Sequence, residues 1–591
     1  MTIQSKTHFC GASLAVVLAT GLLASPSRVL AQAIERNLPP APQPATPLIA
    51  PANLIPSDQD ATPIGAMLKG VVILGANDPA LSEPTTTGVD VSRAARLNGD
   101  AGHLAGFLGQ PISRKLIAQI EAEIANRYRH AGFPFVNLAT PPQEITSGVL
   151  QIRVLEFRLA QKTAPGAEAN DALYIESRVR AEPGQPIDTN RLAQDLDWLN
   201  RFPFRKTEAM FTPATTLGGT DLALQTTPSK PWSAYVGYSD SGSPRTGMDR
   251  YFTGFQALLP NTRDILVSYQ FTGSNDELFD GGRLFNTSPD PAYVSHAGRL
   301  IIPTLARQDI EASVSYVQST EPAQDFLVRQ TTYEGTLAYR SALSDIWSVL
   351  PGEGVIGVEA KRQTSRTLFD GAVQAGSSFD VFQVTVGYAQ QETDAWGRTS
   401  GDITAHISPG SVNDQNTAAA FASFSQGRFD EARYAYLSFD LNRYTLLPPV
   451  FGLAGFSLSN TLIGQYSAVA LPLTEQIGLG NNSLVRGYTL DDGAFDAGVV
   501  SRNELRAPSF ALLGRTGRVS DQLSPYVFLD AGYGKDRSTK IDAAPISTGL
   551  GADYQLTTHL TATLDGAWAL RSVGYTRSGD ARLESRVTFS F

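Results

Sequence analysis

From Trp232 to Phe591 the chain reads as sixteen segments of about ten residues in which apolar and polar side chains alternate. They begin near Trp232, Arg250, Asp264, Tyr293, Asp309, Gln330, Gly354, Asp380, Thr399, Glu431, Phe456, Gly498, Leu523, Ile546, Leu560 and Arg582. A two-residue repeat places alternate side chains on opposite faces of a strand, which excludes helix over this region. Two architectures remain, a soluble sandwich and a closed membrane barrel. The last segment shows what separates them. Leu583, Val587, Phe589 and Phe591 share one face, while Arg582, Glu584, Arg586, Thr588 and Ser590 share the other. Full charges on the polar face suit strands that line a wet lumen with lipid outside. The connections also alternate between short and long, and the segment count is even, both marks of outer-membrane barrels. The aromatic Phe591 in the last segment is read the same way. The expected fold is a sixteen-stranded antiparallel outer-membrane β-barrel over 231–591.

Composition agrees with that division. Charged residues are 18% of the chain, below the roughly 25% of soluble domains, and aromatics reach 9%. Mean hydropathy is −0.12. After residue 31 no stretch approaches ~18 apolar residues, so no helical membrane span is expected. A net charge of −10 and a pI near 5.3 argue against a nucleic-acid partner.

The first 31 residues are expected to be a secretory signal peptide, with Lys6 ahead of the apolar core Leu14–Leu23 and small residues at Val29-Leu30-Ala31. Cleavage there would remove Cys10, the single cysteine, and with it all thiol chemistry. Residues 32–67 form a linker whose eight prolines (39, 40, 42, 44, 47, 51, 56 and 63) preclude helix and sheet.

Between linker and barrel lie two small α+β units, expected at 68–159 and 160–230. In the first, Val71–Leu74 is a strand, and Ser113 caps a helix with Leu116, Ile120, Ile124 and Tyr128 at four-residue spacing. Gly132 stops that helix, and Phe133–Leu138 and Val149–Val154 read as strands. In the second, Leu173–Val179 is expected as a strand and Asp188 as the cap of a helix carrying Leu192, Leu196 and Leu199. Glu208–Phe211 and Leu222–Gln225 complete it as strands.

Enzymatic readings find no support. His103, His130, His296, His406 and His559 are isolated, with no HExxH pair, and no GxSxG elbow is present. No catalytic residue, metal site or cofactor is expected.

Several segments carry a resemblance. FLGQPISRKLIAQIEAEIANRYRHAGFPFV (107–136) with GVLQIRVLEFRL (148–159) is similar to the first polypeptide-transport-associated (POTRA) domain of two-partner secretion transporters. RLAQDLDWLNRFPF (191–204) with GGTDLALQ (218–225) resembles their second. Val485-Arg486-Gly487-Tyr488 matches the VRGY motif of that family's long sixth outer loop, and Phe528-Leu529-Asp530-Ala531-Gly532 its FxDxG motif on the thirteenth strand. Ser501–Arg506 resembles the strand between them. In the independent segment count, VRGY falls in the connection 467–497 between segments 11 and 12, and FLDAG in segment 13.

The resemblance implies a transporter of the haemolysin secretion/activation type. It would capture an unfolded exoprotein in the periplasm through two POTRA domains and pass it through the barrel without ATP. Loop 467–497 would occupy the pore, with Arg486 paired to Asp530 and Phe528 beside them. Gly487, Gly532 and Gly534 would allow loop and wall to approach closely. Further implied partners are outer-membrane lipid and lipopolysaccharide around a monomer. A barrel-assembly factor of the same superfamily is the alternative; those carry three or five POTRA domains, and only two fit between 68 and 230. The family also has an N-terminal helix in the pore, for which Gln32–Leu38 is too short. Whether a proline-rich segment takes its place stays open at this level.

Overall fold

The computed structural model describes residues 37–39 and 58–591, apart from 83, 98–100, 217, 280–287, 348–349, 451 and 514–519. The expected signal peptide and most of the proline run lie outside the described residues. The linker expected to stay extended through residue 67 instead ends in a strand. Pro63–Met67 pairs antiparallel with Pro111–Ser113. Proline at the first position of a strand sacrifices no ladder hydrogen bond, and no further proline follows it.

The first small unit has a four-stranded sheet in the order Gly88–Asp90, Gly70–Leu74, Val149–Glu156, Val136–Ala139, covered by helix Arg114–His130. The Ser113 hydroxyl accepts the Leu116 N–H at 3.1 Å, capping that helix, and Gly132 follows its last turn at φ +90°. Leu116, Ile120, Ile124 and Tyr128 pack against Val71, Ile73, Leu150 and Ile152. Ile124 is fully buried. Its replacement by alanine is expected to destabilise this unit by about 2–5 kcal/mol. The check is the midpoint of the low-temperature transition in a circular-dichroism melt of the detergent-solubilised protein.

The second unit has a three-stranded sheet in the order Arg158–Thr163, Gly219–Pro228, Arg205–Pro213, with helices Ala169–Arg178 and Thr189–Leu199. Strand Arg158–Thr163 straddles the boundary expected at 159/160 and pairs within the second sheet. The strand expected over Leu173–Val179 is instead the end of a helix, Ala169–Arg178, with Val179 as its extended cap. Its apolar residues fit a 3.6-residue period better than a two-residue one: Tyr174, Ile175 and Val179 are buried, while Leu173, which alternation would bury with Ile175, is 67% exposed. Asp188 caps the second helix, accepting the Asn190 and Arg191 N–H groups.

Among the described residues, sixteen antiparallel strands close into a barrel, the first (Trp232–Ser239) pairing with the sixteenth (Ala581–Ser590). A two-residue strand, Asp542–Ala543, extends the hairpin between the thirteenth and fourteenth. The expected starting points fall within eight residues of every strand. Strand length departs from expectation in the fifth to eighth, which run 16, 17, 17 and 23 residues. Their outer connections shrink to 324–325 and 370–371, so what alternation suggested were long loops are continuations of sheet. The last strand keeps its faces: Leu583, Val587, Phe589 and Phe591 point out, and Glu584 is buried inside.

The second small unit is seated on the inner turns of the barrel. Phe202 and Phe204 pack with Leu266, Ile301 and Leu258. Arg205 forms a two-pronged pair with Asp264, at 2.9 and 2.7 Å.

Candidate functional site

The eleventh strand ends at Ser467 and the twelfth begins at Ala497. The chain between them folds back on itself. Ile477–Gly478 pairs with Ala494–Phe495, and Gly480 bridges Val485. Ile477, Leu479, Leu484, Val485, Tyr488 and Phe495 cluster with Ile463, Val500 and Ala569 of the wall. A loop of this length with its own apolar core is a folded element, held in one position.

At its tip stands Arg486, wholly buried. Its Nε and Nη2 donate to the two carboxylate oxygens of Asp530 at 2.7 and 2.9 Å, and its backbone N–H points to the same group at 3.3 Å. This is the bidentate fork geometry that a guanidinium offers and a lysine cannot. The guanidinium carbon lies 3.6 Å from the centre of the Phe528 ring, a cation–π contact in a water-poor setting. Phe528, Asp530 and Gly532 share the inward face of the thirteenth strand (Asp521–Lys535), as alternation requires.

The flanking motif residues are positioned by the same fold. Val485 is buried, and a side chain at Gly532 would begin 3.1 Å from its Cγ2. Gly487 has φ +82°, and its N–H donates to Glu584 at 3.0 Å. A side chain there would start 3.1 Å from the Ala567 Cβ. The Tyr488 hydroxyl reaches the Arg571 carbonyl at 2.7 Å, beyond the end of the fifteenth strand. At Gly534, a Cβ would lie 2.5 Å from the Phe495 ring. Gly487→Val introduces both strain and crowding. It is expected to weaken the tip contact less than loss of Arg486 does, giving pore conductance between that variant and wild type.

Three contacts escaped sequence reasoning. The Arg486 Nη1 also donates to Glu504 at 2.9 Å and stands 3.5 Å from Asp565, whose carboxylate accepts the Tyr526 hydroxyl at 2.8 Å. Glu504 lies on the twelfth strand and Asp565 on the fifteenth, so one arginine ties the loop to several strands. Glu504 is in turn paired to Arg506 at 2.7 Å. Alternation marks both acids as inward, but many lumen charges share that mark and nothing in sequence singles these out.

The N-terminal segment also enters the picture. Asn37 donates to the Tyr293 hydroxyl at 2.9 Å, and Leu38 lines a cavity of about 170 Å³ with Glu311, Glu359, His406, Tyr436 and Ile477. Residues ahead of the first small unit therefore touch the inner face of the barrel.

Comparison with known proteins fits this arrangement. The family model for the haemolysin secretion/activation protein ShlB/FhaC/HecB matches residues 355–554, and that for the ShlB-type POTRA domain matches 85–156. The outer membrane transporter CdiB of Dickeya dadantii is 23% identical over 415 residues, covering 69% of each chain. The solved structure of CdiB from Escherichia coli superposes with a TM-score of 0.68 at 15% identity, covering 92% of this chain and 94% of that one. CdiB from Acinetobacter baumannii gives 0.61 at 15%, over 92% and 95%. Barrel, small domains and matches together define an outer-membrane transporter of the POTRA-plus-barrel class. Within that class the chain is similar to the two-partner secretion transporters, whose members are transporters and not enzymes.

Proposed function

We propose that the protein captures an unfolded exoprotein in the periplasm and secretes it through the barrel without ATP. In the idle state, loop 467–497 occupies the pore and the Arg486–Asp530 pair holds it there. The observation that carries this reading is the loop itself: a folded segment, buried to its tip, with a bidentate ion pair to the wall. A sixteen-stranded barrel encloses an aqueous channel that would otherwise leak. An ion pair strong enough to close it, yet exchangeable for client contacts, suits a gate.

The two small domains, expected at 68–159 and 160–230, receive the client. Their sheets have free edges at Val136–Ala139 and Arg205–Pro213, which can take an extended chain through backbone hydrogen bonds with little demand on sequence. Folding of the client outside supplies the pull. The protein acts as a monomer in lipid and lipopolysaccharide.

The test is export of the exoprotein client into the medium by cells carrying the transporter. Deletion of 85–228 is expected to abolish export while the barrel still reaches the outer membrane. Export that survives the deletion refutes periplasmic capture, and general loss of other outer-membrane barrels from a strain lacking the protein would show an assembly factor instead.

A further inference from the structure

The tip of the loop is tied to strands twelve, thirteen and fifteen. Its base meets the other side of the barrel. Glu475, in the short helical turn Leu473–Glu475, is fully buried. Its carboxylate receives Lys361 Nζ at 2.9 and 3.0 Å, Gln383 Nε2 at 2.9 Å and the Tyr436 hydroxyl at 2.8 Å. These donors stand on the seventh (Glu353–Phe369), eighth (Ala372–Asp394) and tenth (Tyr434–Leu446) strands. In a ring of sixteen, the seventh strand lies eight positions from the fifteenth, which carries Asp565. The loop is a strut across the lumen, with a buried ion pair at either end.

We infer that Lys361 and Glu475 form a second tie that positions the base of the loop, and that the idle pore stays closed only while both ties hold. This rests on the reading of the loop as the pore gate. Two features show that the pair is built for holding. The Lys361 side chain is 1% exposed and that of Glu475 is inaccessible, so both ions have given up their water and depend on protein partners. Four donors converge on Glu475 once the Gln465 amide on its backbone carbonyl is included, at 2.7 Å. The two ties differ in kind. Arg486 meets its partner by planar two-pronged geometry, whereas Lys361 is a point charge that also lies 3.3 Å from Glu359 and 3.5 Å from Glu334. When Glu475 leaves, Lys361 therefore still has carboxylate neighbours, so this end can release without stranding a bare cation.

The experiment is single-channel conductance of the full chain in planar bilayers, comparing wild type, Asp530→Ala, Glu475→Gln, Lys361→Met and the double variant Asp530→Ala/Glu475→Gln. Folding is checked by the heat-dependent shift of the barrel band on electrophoresis. Glu475→Gln is expected to raise the open fraction about tenfold or more, the effect of losing one charge-assisted hydrogen-bonded contact. The double variant should exceed both singles. If Asp530→Ala opens the pore and Glu475→Gln leaves it at the wild-type level, the second tie is refuted while the gate reading survives. If neither variant opens the pore, both fall. An increase in Glu475→Gln alone supports the base tie and refutes the tip. Should the Lys361 variant not fold, Tyr436→Phe removes one hydrogen bond from the same carboxylate, and a wild-type open fraction in it counts against the tie.

Discussion

Arg486→Ala is expected to give a more severe phenotype than loss of any one of its carboxylate partners: a leaky outer membrane and loss of client export. The reason is the number of carboxylates left behind. Asp530, Glu504 and Asp565 all face the guanidinium. Removing one partner of a buried charge pair typically costs about 3–5 kcal/mol, because the other is left uncompensated. Glu504 retains Arg506, but Asp530 and Asp565 lose their cation together. The loop tip must then move until water reaches them, which opens the lumen. Asp530→Ala leaves Arg486 with Glu504 and Asp565 and should be milder. Uptake of a large antibiotic such as vancomycin and export of the client give the two readouts, and the order Arg486→Ala above Asp530→Ala is the specific expectation.

The same geometry decides how a charge swap behaves. With Arg486→Asp and Asp530→Arg combined, the new aspartate would face Glu504 and Asp565 as well as the new arginine. Partial rescue at most is expected, with leakage lower than in Arg486→Asp alone but above wild type. A simple pair, isolated from other charges, would be restored fully; full restoration would show that Glu504 and Asp565 contribute nothing.

Local rules carried much of this structure into the sequence. Alternation with turn residues marked the sixteen strands, because each strand has one lipid face and one wet face and so reads as a period of two. Ser113 and Gly132 bracketed their helix because capping is a short-range matter. The tract Leu173–Val179 failed for the opposite reason. Its seven residues satisfy both periods in part, and burial of Tyr174 against the second core, with Leu173 left exposed, settles the stretch through Arg178 as helix. At the site, VRGY and FLDAG were legible as local motifs. Glu504, Asp565, Lys361 and Glu475 were not, since the first three are inward charges among many and Glu475 is a loop acid, and all four acquire partners only when the barrel closes around the loop. Lys361 and Glu475 are 114 residues apart in sequence. No periodicity reports a contact across a lumen.

The junction between the second small unit and the barrel is the other place where a local change should have a large effect. Arg205 and Asp264 form a two-pronged pair with side chains only 13% and 8% exposed. Asp264 sits at φ +71°, a left-handed conformation that aspartate tolerates better than most residues and that aims its carboxylate at the guanidinium. Phe202 and Phe204 fill the apolar gap beside it. A second contact lies further round the rim. Asp345 in the turn after the sixth strand accepts Arg180 at 2.7 Å, and also pairs with Arg307. Arg180 is itself held by Asp195, whose carboxyl is pushed up by burial while the Arg180 N–H and guanidinium pull it down. Anchors at separate points fix an orientation, where one would leave a pivot. Under the proposed function, client delivery would depend on that orientation, because an extended chain leaving the sheet edge must meet the barrel opening. Phe204→Ala with Arg205→Ala is therefore expected to cut export at least tenfold while the barrel stays folded, an energetic change of about 1.4 kcal/mol or more in the docked population. Limited proteolysis gives the direct check: cleavage at the connection 229–231 should appear in the double variant before any cut within either unit, and a pattern identical to wild type would show that the remaining contacts (Arg180 with Asp345, Arg178 with the Thr304 carbonyl and Arg307 with Gln194) are sufficient.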